Sequence, residues 1–350
     1  MLSSGATANL GEIGKTMSRL DHPISSSIHF EQDGIQHGFL RLPYSRDDSA
    51  WGAILIPIVQ FKHGTGATAL ITGANHGDEY EGPIALYNFA QRTDLTSFQG
   101  RVIIIPAMNY PAFQAGTRVS PLDHLNMNRI FPGKVDGSIT QVLADYFSRV
   151  LLPMADYVLD IHSGGKTLDF LPFAACHELP NPQQQAKCEA AMQAFGAPYT
   201  LKLVEDTRGM YDHQAEMMGK VFVSTELGGG GTTTPRSIAH AKRGLNNFLI
   251  HAGILEDRLQ TASAPSQGLS MNQHSYVFAE HQGLLEPCVA LGNMVEEGQL
   301  IAYIHTIERT QAKPQAYYAS TSGLILARHL PSLIKMGDCL QVIATLKPNF

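Results

Sequence analysis

The sequence predicts an α/β protein with a mixed, largely parallel sheet flanked by helices, followed by a small all-β domain. Between Ala67 and about Gly253, short apolar runs alternate with longer stretches of helical pattern. This alternation is typical of a parallel or mixed sheet with helices on its faces. Residues 261–267 (TASAPSQ) then have the composition of a linker. We therefore predict one domain over residues 1–260 and a second over residues 268–350.

Each element is predicted from its local pattern of apolar residues. Residues 24–57 read as a β-rich segment that precedes the α/β region. Short apolar runs predict strands, and longer amphipathic stretches predict helices. The predicted strands are residues 68–72, 102–106, 157–161, 201–204 and 221–225. The predicted helices are residues 82–91, 139–152, 182–195 and 235–252.

The second domain contains two similar halves, which start at Gly283 (GLLEPCVALGNMVEEGQLIAYIH) and Ser322 (SGLILARHLPSLIKMGDCLQVIA). Each half has glycine before apolar residues, then Gly-Asn or Gly-Asp, then an apolar strand. The repeat resembles the barrel-sandwich fold of lipoyl and biotinyl domains. Those domains carry a modified lysine at a hairpin tip, but Lys313 lacks the flanking residues of that site. We predict an unmodified, structural β domain.

Composition and charge restrict the partners that this protein is expected to have. The 350 residues carry a net charge of −6 with no basic stripe, which argues against nucleic-acid binding. No run reaches the roughly 18 apolar residues of a membrane span, and the N-terminus has no apolar signal core. The four cysteines are scattered, as free thiols are in a reducing compartment. We expect a cytoplasmic protein with a small-molecule partner; a homo-oligomer is left open.

Three side chains with metal-ligand chemistry follow two of the predicted strands. His76 and Glu79 are three residues apart, as on one helical turn, and His162 follows the strand over residues 157–161. Two imidazoles and one carboxylate leave one position open on a tetrahedral zinc ion, as catalytic sites require. Asp160 is predicted to hold a metal-bound histidine through its second nitrogen, with His76 favoured over His162. The alternatives are a chance spacing of His76 and Glu79 with His162 as an ordinary core histidine, and an Asp160 that caps a turn.

Other polar residues are candidates for catalysis and substrate binding. Glu226 ends the apolar run VFVSTE before four glycines, where a poorly solvated carboxylate backed by mobile backbone suits a general base. The alternative is a surface glutamate before a flexible loop. Arg129 offers a planar fork for a carboxylate or an oxyanion, and Asn128 beside it adds amide donors. Arg118 is a weaker candidate of the same kind.

Taken together, the motifs resemble those of the succinylglutamate desuccinylase/aspartoacylase family, in the same order along the chain. They are His76-x-x-Glu79, Asn128-Arg129, Asp160-x-His162 and Glu226. The resemblance implies a zinc-carboxypeptidase-like fold and hydrolysis of the amide bond of an N-acyl amino acid. It implies that one Zn²⁺ per chain is bound by the His-Glu-His set and that Glu226 activates water. It also implies that Arg129 with Asn128 binds the substrate carboxylate, while Arg118 or a neighbour polarises the scissile carbonyl.

Within the family, the surroundings of these motifs resemble members that deacetylate N-alpha-acetyl-L-2,4-diaminobutyrate in ectoine degradation. Aspartoacylases carry an arginine about ten residues before the catalytic glutamate, and the same offset falls here on Glu216, with Asp212 and Asp206 upstream. An acidic group suits a substrate ammonium. Asp123 is a second candidate for that role, and Tyr211 either closes over the substrate or packs in the core. The alternative is a solvated helix face.

Three other functions compete with this interpretation. The first is a deacylase of an acidic N-acyl amino acid, such as acetylaspartate or succinylglutamate. The second is a zinc carboxypeptidase, although a C-terminal β domain would restrict the cleft to small substrates. The third is a non-catalytic binding module with a vestigial metal site, which the intact ligands and Glu226 argue against.

Overall fold

The computed structural model describes residues 22–204, 207–260 and 264–347. Within these ranges the chain forms a mixed sheet of 15 strands, an antiparallel sheet of four strands, and six α-helices. The strands are β1 (Ser25–Ser26), β2 (Gly34–Pro43), β3 (Ala53–His63), β4 (Thr68–Gly73), β5 (Gly100–Ile105), β6 (Tyr157–His162), β7 (Leu168–Phe170), β8 (Phe173–His177), β9 (Tyr199–Leu203), β10 (Val221–Glu226), β11 (Gln267–Ser270), β12 (Tyr276–Phe278), β13 (Gly283–Pro287), β14 (Met294–Val295), β15 (Leu300–His305), β16 (Gln315–Tyr318), β17 (Gly323–His329), β18 (Leu333–Ile334) and β19 (Cys339–Lys347). The helices are α1 (Glu81–Phe89), α2 (Tyr110–Ala115), α3 (Ile139–Tyr146), α4 (Pro182–Phe195), α5 (Tyr211–Met217) and α6 (Pro235–His251).

The predicted mixed α/β architecture is confirmed. All five predicted strands and all four predicted helices are present, mostly with ends within two residues of the prediction. The exception is the helix predicted over residues 139–152, where α3 ends at Tyr146 and the chain continues as the π-helix Phe147–Leu151. The β-rich start is also present, because β2 and β3 form a long antiparallel pair. Four elements were not predicted from the sequence: α2, α5, β7 and β8.

Helices cover both faces of the central sheet, and the strands have apolar residues on both sides. In β4, Leu70 packs into the core beside α3 and α5, whereas Ile71 packs into the core beside α1, α4 and α6. Phe222 and Val223 alternate in the same way in β10. Successive side chains of a strand point to opposite faces, so continuous apolar runs are required when both faces are buried. This explains why the sequence pattern identified these strands.

Three parallel strands place the candidate site residues at one edge of the sheet. Strand β6 lies between β4 and β10 and runs parallel to both. Thr72 of β4 is paired with Asp160, and His162 is paired with Glu226 of β10. Because carboxyl ends of parallel strands meet at the same edge, side chains at these strand ends converge.

The C-terminal strands are joined to the α/β sheet. Strand β11 pairs in parallel with β9 and antiparallel with β19, while β7 pairs with β17. Strands from both sheets also surround a separate small apolar core that includes Val277, Ile301, Ile325 and Ile343. Strands from both parts of the chain therefore belong to one sheet. The division into domains over residues 1–260 and 268–350 stays a prediction.

The structure also bears on the expectations about membrane-spanning segments and cysteines. None of the helices in the described ranges is long and apolar enough to cross a bilayer. The four cysteines are free thiols, as predicted, and Cys176 and Cys188 are buried.

Candidate metal centre and active-site cavity

The connection between β4 and α1 carries the first two candidate ligands. His76 and Glu79 lie in a turn before α1, in which the amide of Glu79 donates to the carbonyl of His76 at 3.4 Å. The expected helical turn is therefore wrong, but the turn brings both side chains to the same side. Gly77 allows this conformation because a Cβ there would lie 2.0 Å from the carbonyl carbon of Ala112 in α2.

His76, Glu79 and His162 form a compact, buried donor cluster. Nδ1 of His76 lies 2.7 Å from Oε1 of Glu79, and Nδ1 of His162 lies 2.8 Å from Oε2 of the same carboxylate. One donor atom from each residue falls within 4.8 Å of the others, and this is the one group of three or more such side chains found in the described residues. Two nitrogens and one oxygen, all buried, fit a zinc ion with an open position.

The outer nitrogens of both histidines are held by polar side chains. Nε2 of His162 lies 2.8 Å from Asp160, and Nε2 of His76 lies 3.2 Å from Oδ1 of Asn126. These contacts leave both Nδ1 atoms directed towards Glu79. Asp160 was expected to favour His76; it contacts His162 instead, because both side chains lie on the same side of β6. Asp160 also accepts hydrogen bonds from Thr72 and Asn75.

Electrostatics within the cluster favour an ionised Glu79. Burial alone would raise the pKa of Glu79, but the neighbouring imidazoles of His76 and His162 outweigh burial and hold this pKa below its usual range. Burial also lowers the pKa of His76, which favours a neutral imidazole. Burial lowers the pKa of His162, but the charges of Asp160 and Glu79 outweigh burial and raise it, so a metal ion that binds here must displace a proton from this imidazole.

Glu226 lies at the end of β10, directly beside His162 in the sheet. Its Oε2 is buried and has no hydrogen-bond partner among the described residues. Burial, followed by the negative charge of Glu79, raises the pKa of Glu226 to about 8. A carboxylate with a pKa near neutrality can both accept and return a proton.

The glycines after Glu226 are not the mobile backbone that was expected. The carbonyl of Gly228 accepts hydrogen bonds from the amides of Gly164 and Phe170, and Gly230 donates to Leu168. At Gly229 a Cβ would lie 1.9 Å from the carbonyl oxygen of Leu168. The glycines therefore allow close packing against β7, which fixes the chain that follows the candidate base.

A cavity of about 340 Å³ opens beside the cluster. Its polar wall includes His76, Arg118, Asn128, Arg129, His162, Asp212 and Glu226. Its apolar wall includes Phe170 and Phe173, together with residues from the C-terminal part of the chain: Met271, Tyr276, Phe278, Cys339 and Val342. Both parts of the chain therefore enclose the space next to the donor cluster.

The structure brings the predicted arginines and Asn128 to this cavity. Nη1 of Arg118 lies 3.6 Å from Oε1 of Glu79, although 47% of the Arg118 side chain remains exposed. Asn128 and Arg129 lie on the short 3₁₀ turn Met127–Arg129. Oδ1 of Asn128 accepts a hydrogen bond from the amide of Tyr211 at 2.9 Å, which fixes the turn to α5.

Three predicted substrate-binding residues lie elsewhere. Asp123 accepts hydrogen bonds from Ser138 and Thr140 at the start of α3, so it holds a helix end rather than a substrate. The ring of Tyr211 is fully buried among aromatic side chains and cannot close over a ligand. Glu216 is buried against Nδ1 of His177 at 2.9 Å and does not line the cavity. Asp206 lies outside the described residues.

Two groups of residues at the site were not predicted from the sequence. Asn126 was overlooked, although its position two residues before Asn128 in the polar run NMNR was a usable signal. The apolar wall from the C-terminal strands left no such signal, because Tyr276 and Phe278 look like ordinary strand residues.

Fold and site together define a class of protein. An α/β sheet that carries two histidines and a glutamate beside a second buried carboxylate has the arrangement of a metal-dependent hydrolase. Residues 65–252 match the sequence model of the succinylglutamate desuccinylase/aspartoacylase catalytic domain. The chain therefore belongs to the succinylglutamate desuccinylase/aspartoacylase family, a family of deacylating hydrolases, as its motifs predicted.

Several relatives are similar over nearly the whole chain. The N-alpha-acetyl-L-2,4-diaminobutyric acid deacetylase of Halomonas elongata is 52% identical over 324 residues, which cover 92% of this chain and 95% of the relative. The product-bound ectoine utilization protein EutE of Ruegeria pomeroyi gives a TM-score of 0.90 at 54% identity, over 93% of this chain and 99% of that chain. A succinylglutamate desuccinylase of Silicibacter sp. TM1040 gives 0.91 at 55% identity, with the same coverage.

The position of Asp123 leads to a test of its role. Burial would raise the pKa of Asp123, but hydrogen bonds from Thr140 and Ser138 outweigh burial and lower this pKa. We expect Asp123→Ala to reduce the free energy of unfolding by about 1–2 kcal/mol, because a helix end loses its acceptor. A carboxylate whose pKa is lowered on folding stabilises the folded state at pH values above its ordinary pKa. This stabilisation is lost as the pH falls through the folded-state pKa. Urea unfolding and kcat/KM should show lower stability with retained activity; a selective loss of activity would contradict the assignment.

Proposed function

We propose that this protein is a zinc-dependent deacetylase that hydrolyses N-alpha-acetyl-L-2,4-diaminobutyrate to L-2,4-diaminobutyrate and acetate. The observation that carries this proposal is the meeting of the His76, Glu79 and His162 donors with Glu226 beside one cavity. The similarity to the Halomonas elongata deacetylase and to EutE supports the substrate and a role in ectoine degradation.

Zinc is the proposed cofactor because of the chemistry of the donor set. Two imidazole nitrogens and one carboxylate oxygen match the three-ligand set of catalytic zinc sites. When bound, zinc polarises a substrate carbonyl and lowers the pKa of water. The hydrogen bonds of Asp160 to His162 and of Asn126 to His76 hold the two rings in ligating orientations.

Glu226 is the proposed general base and acid. Its Oε2 takes a proton from the water that attacks the acetyl carbon, as the new C–O bond forms. The same proton then passes to the amide nitrogen, so that the C–N bond breaks and a free amine leaves with acetate as the second product. Burial in the cavity wall keeps bulk water from competing for this proton.

The arginines supply the positive charge that an N-acyl amino acid requires. Arg129 with Asn128 is proposed to bind the substrate α-carboxylate, since a guanidinium matches a carboxylate in a two-bond geometry. Arg118, beside Glu79, is proposed to stabilise the negative charge that develops on the acyl oxygen. Its partial exposure allows it to adjust as substrate enters.

The substrate assignment is tested by comparing two N-acetyl amino acids. We expect zinc-loaded protein to release amine from N-alpha-acetyl-L-2,4-diaminobutyrate with a higher kcat/KM than from N-acetylaspartate, because the cavity presents a carboxylate, Asp212, in addition to Glu226. Preference for N-acetylaspartate would contradict the proposed substrate and favour an acidic N-acyl amino acid. Release of a C-terminal residue from peptides would favour a carboxypeptidase instead.

The role of Glu226 is tested by removing its charge while its shape is kept. We expect Glu226→Gln to bind zinc normally and to lower kcat by about 10²- to 10⁴-fold, the contribution of a positioned general base. The measurement is steady-state turnover together with zinc content. As a control, Glu189→Gln removes a carboxylate that pairs with Lys202 away from the cavity, and it should retain activity. A fully zinc-loaded Glu226→Gln variant with a normal rate would exclude this role.

The metal ligands are tested by affinity as well as activity. We expect His162→Ala to weaken zinc binding by more than the roughly 10- to 100-fold that loss of an outer partner causes, because a direct ligand is removed. Competition with a chromophoric chelator measures this affinity. His63→Ala, at the exposed end of β3, is the matched control and should bind zinc as the native protein does. Native zinc affinity in His162→Ala would remove this residue from the ligand set.

A further inference from the structure

The active-site cavity contains a negative charge that the proposed mechanism does not use. Among the described residues that line the cavity, Asp212 and Glu226 are the two carboxylates. Glu226 has a proposed role in proton transfer, whereas Asp212 lies on α5 and forms no hydrogen bond or ion pair with the three metal donors. The same cavity is lined by Arg118 and Arg129, so charged side chains of both signs face this space.

Asp212 is buried yet incompletely paired. Only 8% of the residue is exposed. Its Oδ1 accepts a hydrogen bond from the amide of His213 at 2.6 Å. Its Oδ2 accepts no hydrogen bond from any residue in the described ranges and lies 3.8 Å from Nε2 of His177. Burying a carboxylate with incomplete pairing costs free energy, and burial raises the pKa of Asp212 to about 6. An incoming cation would remove this cost.

His177 does not cancel the charge of Asp212, because a second carboxylate engages it. Glu216 lies 2.9 Å from Nδ1 of His177, on the side of the ring away from Asp212. If the imidazole is protonated, one positive charge faces two carboxylates. If the imidazole is neutral, both negative charges remain. With both carboxylates ionised, the three side chains His177, Asp212 and Glu216 together carry a net negative charge in either protonation state of His177.

The backbone fixes the position of Asp212 relative to the proposed carboxylate-binding turn. Oδ1 of Asn128 accepts a hydrogen bond from the amide of Tyr211, the residue before Asp212. The amide of Phe131 donates to the carbonyl of Gly209 at 2.9 Å. A Cβ on Gly209 would lie 2.9 Å from the carbonyl oxygen of Arg129, so the two segments are in direct contact. Arg129 and Asp212 therefore lie on two segments that hydrogen bonds and close packing hold together, which fixes the distance between the two segments.

We propose that Asp212 binds the side-chain ammonium of the substrate and selects N-acyl amino acids with a short cationic side chain. This inference rests on the proposed deacetylase function and names the residue that sets specificity within it. A substrate held by its α-carboxylate at Arg129 and by its ammonium at Asp212 has its acyl group free to reach Glu226. Glu216 was predicted for this role from the sequence. It instead contacts His177, which lies next to Asp212.

The test compares two substrates that differ only in the side-chain charge. N-alpha-acetyl-L-norvaline has a methyl group where N-alpha-acetyl-L-2,4-diaminobutyrate has its ammonium. We expect Asp212→Asn to lower kcat/KM for the diaminobutyrate derivative by about 10- to 100-fold, the range of a hydrogen bond to a charged group. Activity on the norvaline derivative should remain unchanged, so that the preference collapses. A purely structural role for Asp212 would lower both activities equally.

A control variant and a binding measurement complete the test. Glu189→Gln removes a carboxylate outside the cavity and should keep the native preference between the two substrates. An unchanged preference in Asp212→Asn, or an equal loss on both substrates, would overturn the inference. Calorimetric titration with L-2,4-diaminobutyrate gives a readout that does not depend on turnover.

The two proposals fail in different ways. If the zinc-loaded native protein hydrolyses neither substrate, the proposed function fails, and calorimetry alone decides the role of Asp212. Weaker binding of L-2,4-diaminobutyrate to Asp212→Asn than to the native protein would still support the ammonium site. Equal affinity, or no binding to the native protein, would overturn it.

Discussion

The carboxylate of Glu79 lies buried between the imidazoles of His76 and His162 and within hydrogen-bond distance of both. A charge in such a place persists only if it is paired, because water cannot solvate it. The chain meets this requirement by bringing a turn after β4 against the end of β6, which parallel pairing of the two strands makes possible. Close packing of Gly77 against α2 helps to hold the turn after β4 in place. Hydrogen bonds of the glycines after Glu226 hold the chain at the end of β10.

The two histidines are supported in different ways, and the difference connects the donor cluster to the turn that carries Arg129. His162 contacts Asp160, a carboxylate fixed within the sheet. His76 contacts the neutral amide of Asn126, whose Oδ1 also accepts the backbone amide of Asn128 at 3.0 Å. A single side chain thus orients one of the proposed metal ligands and starts the turn that carries Arg129, the residue proposed to bind the substrate carboxylate. A shift of that turn would be felt directly at the donor cluster.

The sequence predicted the parts of the site that depend on local patterns. His76, Glu79, His162 and Glu226 follow or end apolar strands, and strand ends are recognisable. Contacts that depend on three-dimensional packing were not predictable in the same way. Counting residues back from Glu226 led to Glu216, but α5 turns that residue towards His177 and leaves Asp212, one helical turn earlier, at the cavity. The mixed sheet was predicted; its continuation into the C-terminal strands was not, because pairing between distant segments leaves no local trace.

Because the α/β sheet continues into the C-terminal strands, the two predicted domains are less independent than the predicted linker between them suggests. Without β11 and β17, strands β9 and β7 would present unpaired edges, which invite association with other chains. The cavity would also lose the wall that includes Tyr276 and Phe278. The C-terminal strands are therefore part of the cavity wall, although they supply none of the proposed catalytic groups. Substitutions in the C-terminal strands can therefore change the size of the cavity, although these strands are far along the chain from the proposed catalytic residues. The α/β part and the C-terminal part have to be redesigned or inherited as one unit.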